Sequence, residues 1–78
     1  MAKYDLDVVA KILLILLESP MGRTALYMRT GLNYPRFLQY LQYLKERGLV
    51  AEQDGAVKLT PKGKEVALAL EEVLKHLL

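Results

Sequence analysis

The sequence predicts a mainly α-helical fold that carries one small β-hairpin. Two helix-length segments flank a turn at Gly31, which is the spacing of a helix-turn-helix. The dipeptide Asp54-Gly55, set between short apolar runs, is the strongest two-residue hairpin signal. The C-terminal segment then repeats apolar residues at helical spacing. We therefore expect three helices, a hairpin and a final helix in one domain over residues 1–78.

The composition excludes most classes of catalytic and metal site. There is no cysteine, so neither a disulfide nor a thiolate zinc site is possible. His76 is the only histidine, which excludes sites that need two. Because a glycine-rich phosphate loop is also lacking, we expect no enzyme, no cofactor, no metal and no small-molecule substrate. A domain this small buries only about 60% of its unfolded surface, so oligomerisation is the expected stabilising device.

The first helix is predicted over residues 5–18. Asp5 suits its N-cap, and Asp7 lies in the first turn, where a negative charge favours the helix dipole. The run from Ile12 to Leu17 is apolar without a break, and a helix that is apolar all round is buried on several sides. We expect it to pack on its own domain and on a second copy of the chain. A fully buried strand is the alternative interpretation.

The same apolar region bears on location. The run from Val8 to Leu17 contains Lys11 and is shorter than the about 20 residues that span a bilayer. Asp5 and Asp7 follow Lys3 closely, which does not suit a secretory leader. We therefore expect a cytoplasmic protein with no membrane contact.

A second helix is predicted over residues 24–30 and a third over 34–47. Gly31 follows the second helix where a left-handed residue is preferred. Asn33 suits the N-cap of the third helix, and Pro35 suits its first turn. Because a residue before proline avoids the α region, a start at Pro35 instead of Tyr34 is the alternative.

The third helix has two faces of different chemistry. On a helical wheel its core face comprises Phe37, Tyr40, Leu41 and Leu44. Its outer face comprises Pro35, Arg36, Gln39, Gln42, Tyr43 and Glu46. Arginine and glutamine can pair with guanine and adenine edges, and the lack of acid before Glu46 suits nearby phosphate. The outer face therefore predicts a DNA-reading helix, with a polar face that binds nothing as the alternative.

A hairpin is predicted over residues 49–60, directly after the helix-turn-helix, which is the position of the wing in a winged helix. Leu49, Ala51, Val57 and Leu59 are expected to alternate inward. The tip is short and slightly acidic, so we expect no deep insertion into a minor groove. Lys58 is the wing residue expected near phosphate.

The last helix is predicted over residues 61–78, with Thr60 as N-cap and Pro61 at the first position. Its apolar stripe follows the 4-3-4 spacing of a coiled coil and comprises Val66, Leu70, Val73, Leu74 and Leu77. We expect this stripe to form a dimer interface. The alternative is that the helix folds back on its own core.

Four motifs carry a family resemblance, in this order: Leu32-Asn33-Tyr34, Tyr40 to Leu44, Gly48-Leu49-Val50 and Leu59 to Gly63. They resemble small archaeal winged-helix DNA-binding proteins that dimerise through a C-terminal antiparallel coiled coil, and the likeness covers residues 6–78. The resemblance implies a nucleoid-associated homodimer that binds double-stranded DNA, as a transcriptional regulator or a chromatin-type protein. The sequence departs from the family in one respect: its last helix ends at Leu78, whereas the relatives usually carry a longer coiled-coil rod. The shorter helix allows a more compact dimer interface.

The resemblance also implies roles for individual residues. Those expected to face the groove are Tyr34, Arg36, Gln39 and Tyr43, and those expected at phosphates are Arg23, Arg29 and Lys58. The excess of basic charge fits this, since residues 23–48 hold five basic residues against one acidic residue. The alternative function is a winged-helix protein-interaction module without DNA binding, with Tyr27 and Tyr43 as anchors.

Overall fold

The structure is a computed structural model and describes residues 3–77. Its elements are α1 (Leu6–Glu18), α2 (Arg23–Thr30), α3 (Tyr34–Glu46), β1 (Val50–Gln53), β2 (Ala56–Leu59) and α4 (Pro61–Leu77). This order confirms the predicted fold class, helices with one small hairpin. Each bound lies within one residue of the predicted bound, and the predicted last position of α4, Leu78, is outside the described residues.

The hydrophobic core is built by all four helices and the hairpin. The four predicted core residues of α3 are all buried, and they belong to one hydrophobic cluster with α1 side chains such as Ile12 and Leu13. Val50 and Val57 close the core from the hairpin, and Ala67 closes it from α4. The core face of α3 is thus fixed, and its opposite face is turned to solvent.

The turn between α2 and α3 forms as its residues require. Gly31 ends α2 with a φ of 75°, a left-handed conformation that glycine adopts without strain. The Asn33 side chain accepts a hydrogen bond from the Arg36 backbone N–H at 3.0 Å and so caps α3. Tyr34 is already helical, so the alternative start at Pro35 is not adopted. Asp5, by contrast, stands before α1 without a capping bond from its side chain.

The hairpin turns at Asp54 and Gly55, whose φ values of 52° and 78° are both positive, as a type I′ turn requires. This turn fixes the register, so Val50 opposes Leu59 and Glu52 opposes Val57. Opposed residues share a face of the sheet. The prediction that Ala51 points inward was therefore wrong: Val50 is the buried residue, because the two-residue turn sets the register one position away.

The start of α4 is held by hydrogen bonds and close packing against the loop at Gly48 and Leu49, which follows α3. The Thr60 hydroxyl donates to the Gly48 carbonyl at 2.6 Å and accepts from the Gly63 backbone N–H at 3.0 Å. Thr60 therefore caps α4, as predicted. Gly63 is buried there, and a Cβ added to it would stand 1.9 Å from the Leu49 carbonyl oxygen. Only glycine permits this approach of α4 to the loop.

Candidate nucleic-acid interface

The outer face of α3 is exposed along its length, because its opposite side lies in the core. Pro35, Gln39, Gln42 and Glu46 are all solvent-exposed. At 100° per residue they cluster opposite the buried side chains. The face presents two amides and no carboxylate over its first three turns. An arrangement of this kind can offer hydrogen-bond donors and acceptors to the edges of bases.

Arg36 lies on one flank of this face and is held by an aromatic ring. Its guanidinium carbon lies 5.6 Å from the centre of the Tyr40 ring, and its Nη2 donates to the Tyr40 hydroxyl at 3.4 Å. That hydroxyl also accepts from the Asp5 backbone N–H at 2.9 Å. Arg36 thus remains exposed, with its guanidinium oriented by cation–π attraction. Within residues 3–77 no carboxylate forms a salt bridge with it.

Tyr43 lies on the same flank, but one face of its ring is covered. The Tyr4 ring stacks on it at 4.1 Å between centroids and 16° between planes. Tyr4 also meets Tyr40 edge to face at 5.1 Å. Sequence reasoning missed Tyr4, and its distance of 39 positions from Tyr43 leaves no local signal that could have found it. Tyr43 therefore supports the N-terminal segment beside α3, and its exposed edge alone reaches outward.

Tyr34 lies on the opposite flank of α3, beside α2. Its ring meets Tyr27 edge to face at 5.0 Å, and Tyr27 in turn packs 5.5 Å from Phe37. The two tyrosines assigned as anchors in the protein-interaction alternative, Tyr27 and Tyr43, are thus both half-buried against other rings. Each therefore presents only part of its ring to a protein partner.

An ionic cluster joins α2, α3 and the hairpin on the Tyr34 side. Arg23 Nε donates to one carboxylate oxygen of Glu52 at 3.2 Å, and its Nη2 donates to the other. The Lys45 ammonium bonds the same carboxylate. Arg23 and Lys45 together lower the pKa of Glu52 to about 2, and Glu52, followed by Tyr34, raises the pKa of Arg23. The positive charge of Arg23 is therefore largely compensated by Glu52 within the protein.

The other two predicted phosphate contacts lie apart from this cluster. Arg29 Nη2, on α2, donates to the Glu18 carboxylate on α1 at 3.2 Å, and both side chains are exposed. Lys58 is exposed on the hairpin face that turns away from Val57, and it borders a shallow hollow with Lys64. The structure thus does not gather the three predicted phosphate residues into one patch beside α3.

The predicted dimer stripe of α4 divides into two halves. Val66 and Leu70 pack against the core of their own chain. Val73 and Leu77 are 53% and 74% exposed. Leu74 lines an open hollow of about 1000 Å³ between α1 and α4, with Leu14 on its other wall. The fold-back alternative thus describes the first half of α4, while the second half leaves apolar surface uncovered.

The family model described as winged helix-turn-helix matches residues 4–77, which include every helix and the hairpin. None of the curated proteins matches the chain. Within the described residues, no helix combines the length and the apolar character that crossing a membrane would need.

Proposed function

This chain belongs to the winged helix-turn-helix family, and from that premise we propose that it binds double-stranded DNA as a homodimer, with α3 in the major groove. Domains of this family are typically DNA-binding and non-enzymatic. The proposal assigns base contacts to the outer face of α3 and places the protein on the nucleoid in the cytoplasm.

The outer face of α3 is the observation that supports this function most strongly. Gln39 and Gln42 are exposed at its centre, and the first acidic residue of the helix is Glu46. The major groove is about 12 Å wide and admits one α-helix. Glutamine can bond adenine N6 and N7 from such a helix, and Arg36, on the flank, can bond guanine or phosphate. Tyr34 and the edge of Tyr43 border the same face.

The hollow between α1 and α4 supports the homodimer. Val73 and Leu77, on the same C-terminal half of α4, add further exposed apolar surface. The rim carries both signs of charge, with Lys11 on α1 and Glu71 on α4. A surface that holds both signs can complement itself across a two-fold axis. A second copy would cover apolar surface that a 78-residue chain leaves open.

DNA binding is tested by fluorescence anisotropy with a labelled random-sequence duplex at low salt. The wild type should bind, and Arg36→Ala should bind more weakly. Lys64→Ala is the matched control, because it removes an exposed cation on the α1–α4 side of the molecule. Undetectable binding by the wild type at low salt would refute the proposed function.

The dimer is tested by light scattering at micromolar concentration. The wild type should have the mass of two chains, and Val73→Lys should reduce it to one. Leu68→Lys is the control, since Leu68 is 47% exposed on α4 but lies about 140° around the helix from Val73. A monomeric wild type would contradict the role given to α4.

A selection of bound sequences from random DNA distinguishes a transcriptional regulator from a chromatin-type protein. Both use the same types of residue on α3, so we propose the two roles together. An enriched sequence motif would assign the protein to transcriptional regulation. A pool that stays random while binding is retained would assign it to an architectural role, in which phosphate contacts and shape dominate.

A further inference from the structure

The flank of α3 that faces away from the hairpin carries a row of basic side chains. Arg36 and Arg47 lie within about 20° of each other on the helical wheel, and both lie roughly 180° from Lys45. The Lys62 ammonium donates to the Arg47 carbonyl at 3.3 Å, which places it at the end of the same row. Lys3, close to the Tyr4 ring, extends the row from the N-terminal side.

The charges on this row differ from those on the hairpin side. Within residues 3–77, the salt bridges of arginine and lysine involve Arg23, Arg29 and Lys45 alone. Glu52 forms salt bridges with Arg23 and Lys45, and Glu18 forms one with Arg29. Arg23 and Lys45, which lie beside β1, are thus compensated by Glu52 within the protein. The basic side chains on the opposite flank of α3 form no salt bridge within residues 3–77, so they are left to interact with a ligand.

The N-terminal segment is fixed against this flank by two independent contacts. Tyr4 stacks on Tyr43 at 4.1 Å, and the Asp5 backbone N–H donates to the Tyr40 hydroxyl at 2.9 Å. The Lys3 ammonium lies 5.7 Å from the Tyr4 ring centre. The stack therefore brings a basic residue from the far end of the chain beside the exposed face of α3.

The basic flank is defined here as Lys3, Arg36, Arg47 and Lys62. We propose that the basic flank forms the main phosphate-binding surface. The N-terminal segment is then part of the DNA interface. This inference rests on the proposed DNA binding, but it moves the phosphate contacts away from Arg23, Arg29 and Lys58. Eleven residues of helix separate Arg36 from Arg47 by about 16 Å, so the two reach different phosphates.

The salt dependence of binding tests this assignment. Each phosphate contact that is lost reduces the slope of log K against log salt by about 0.9 for duplex DNA. Arg47→Gln with Lys62→Gln should therefore lower the slope per protomer by about 2. Arg29→Gln with Lys58→Gln removes the same charge elsewhere and should leave the slope unchanged. The reverse pattern would overturn the inference while leaving DNA binding itself intact, whereas absent wild-type binding would refute the proposed function.

The role of the N-terminal segment is tested by a double-mutant cycle. Lys3→Gln should lower the slope by about 0.9 per protomer, and Tyr4→Ala should do the same because it releases the segment. Combining the two should add nothing further, since both remove one contact. Tyr4→Phe keeps the stacked ring and should bind like the wild type. A wild-type slope for Lys3→Gln would overturn this role, even if Tyr4→Ala failed to fold.

Discussion

Glu52→Gln is the substitution that most directly probes how the hairpin is held to the helices. It keeps the shape of the side chain but removes the negative charge shared by Arg23 and Lys45. Glu52 lies on the core-facing side of β1 and its side chain is only 25% exposed. Removing the charge leaves two neighbouring cations that repel each other without a counter-ion.

The size of the effect follows from the pKa of Glu52. That pKa is lowered from 4.5 to about 2, chiefly by the hydrogen bonds from Arg23 and then from Lys45. A group whose pKa is depressed on folding stabilises the folded state above its unfolded pKa, and this stability is lost as the pH falls through the folded value. A shift of this size corresponds to at most about 3–4 kcal/mol. Because water still screens the pair, we expect a loss of about 1–2 kcal/mol at pH 7.

Urea unfolding of wild type and Glu52→Gln, repeated from pH 7 to pH 2, measures this loss. The difference in the free energy of unfolding should be full at pH 7 and shrink between pH 4.5 and pH 2. Glu18→Gln is the control, because Glu18 pairs with Arg29 while 65% exposed and should cost less than about 0.5 kcal/mol. Equal losses in the two variants, or a Glu52 effect that persists at pH 2, would refute the reasoning.

Two further predictions concern stability. Gly63→Ala would place a Cβ 1.9 Å from the Leu49 carbonyl oxygen. Because the backbone would have to shift to relieve this clash, we expect the free energy of unfolding in urea to fall by about 1–3 kcal/mol. Wild-type stability in that variant would show that α4 does not approach the loop so closely. Asn33→Ala removes the cap bond to the Arg36 N–H and should cost about 1 kcal/mol, while Asn33→Ser should restore most of it. No recovery with serine would contradict a capping role.

The features that the sequence predicted correctly depend on local backbone requirements. Asn33 and Thr60 cap the helices that follow them, and Gly31 adopts a left-handed conformation after α2. The dipeptide Asp54-Gly55 forms the expected hairpin turn. Each of these residues satisfies a need of its immediate neighbours, so residue type and spacing are enough to identify it.

The features that escaped prediction depend on contacts between distant parts of the chain. A helical wheel gives the direction of Tyr43, but it does not reveal that Tyr4 covers it. The family resemblance implied a phosphate contact for Arg23, but it gave no sign that Glu52, 29 positions away, binds its guanidinium. The 4-3-4 spacing of α4 fits its own core and a partner equally well, since both bury one apolar stripe.

The salt dependence of wild-type DNA binding tests the central claim most directly. If a dimer binds duplex DNA through two basic flanks of four residues each, log K should fall linearly with log salt, with a slope approaching about −7. Anisotropy titrations of a random duplex over a range of salt concentrations provide that slope. Binding that is absent at low salt, or a slope close to zero, would contradict the claim.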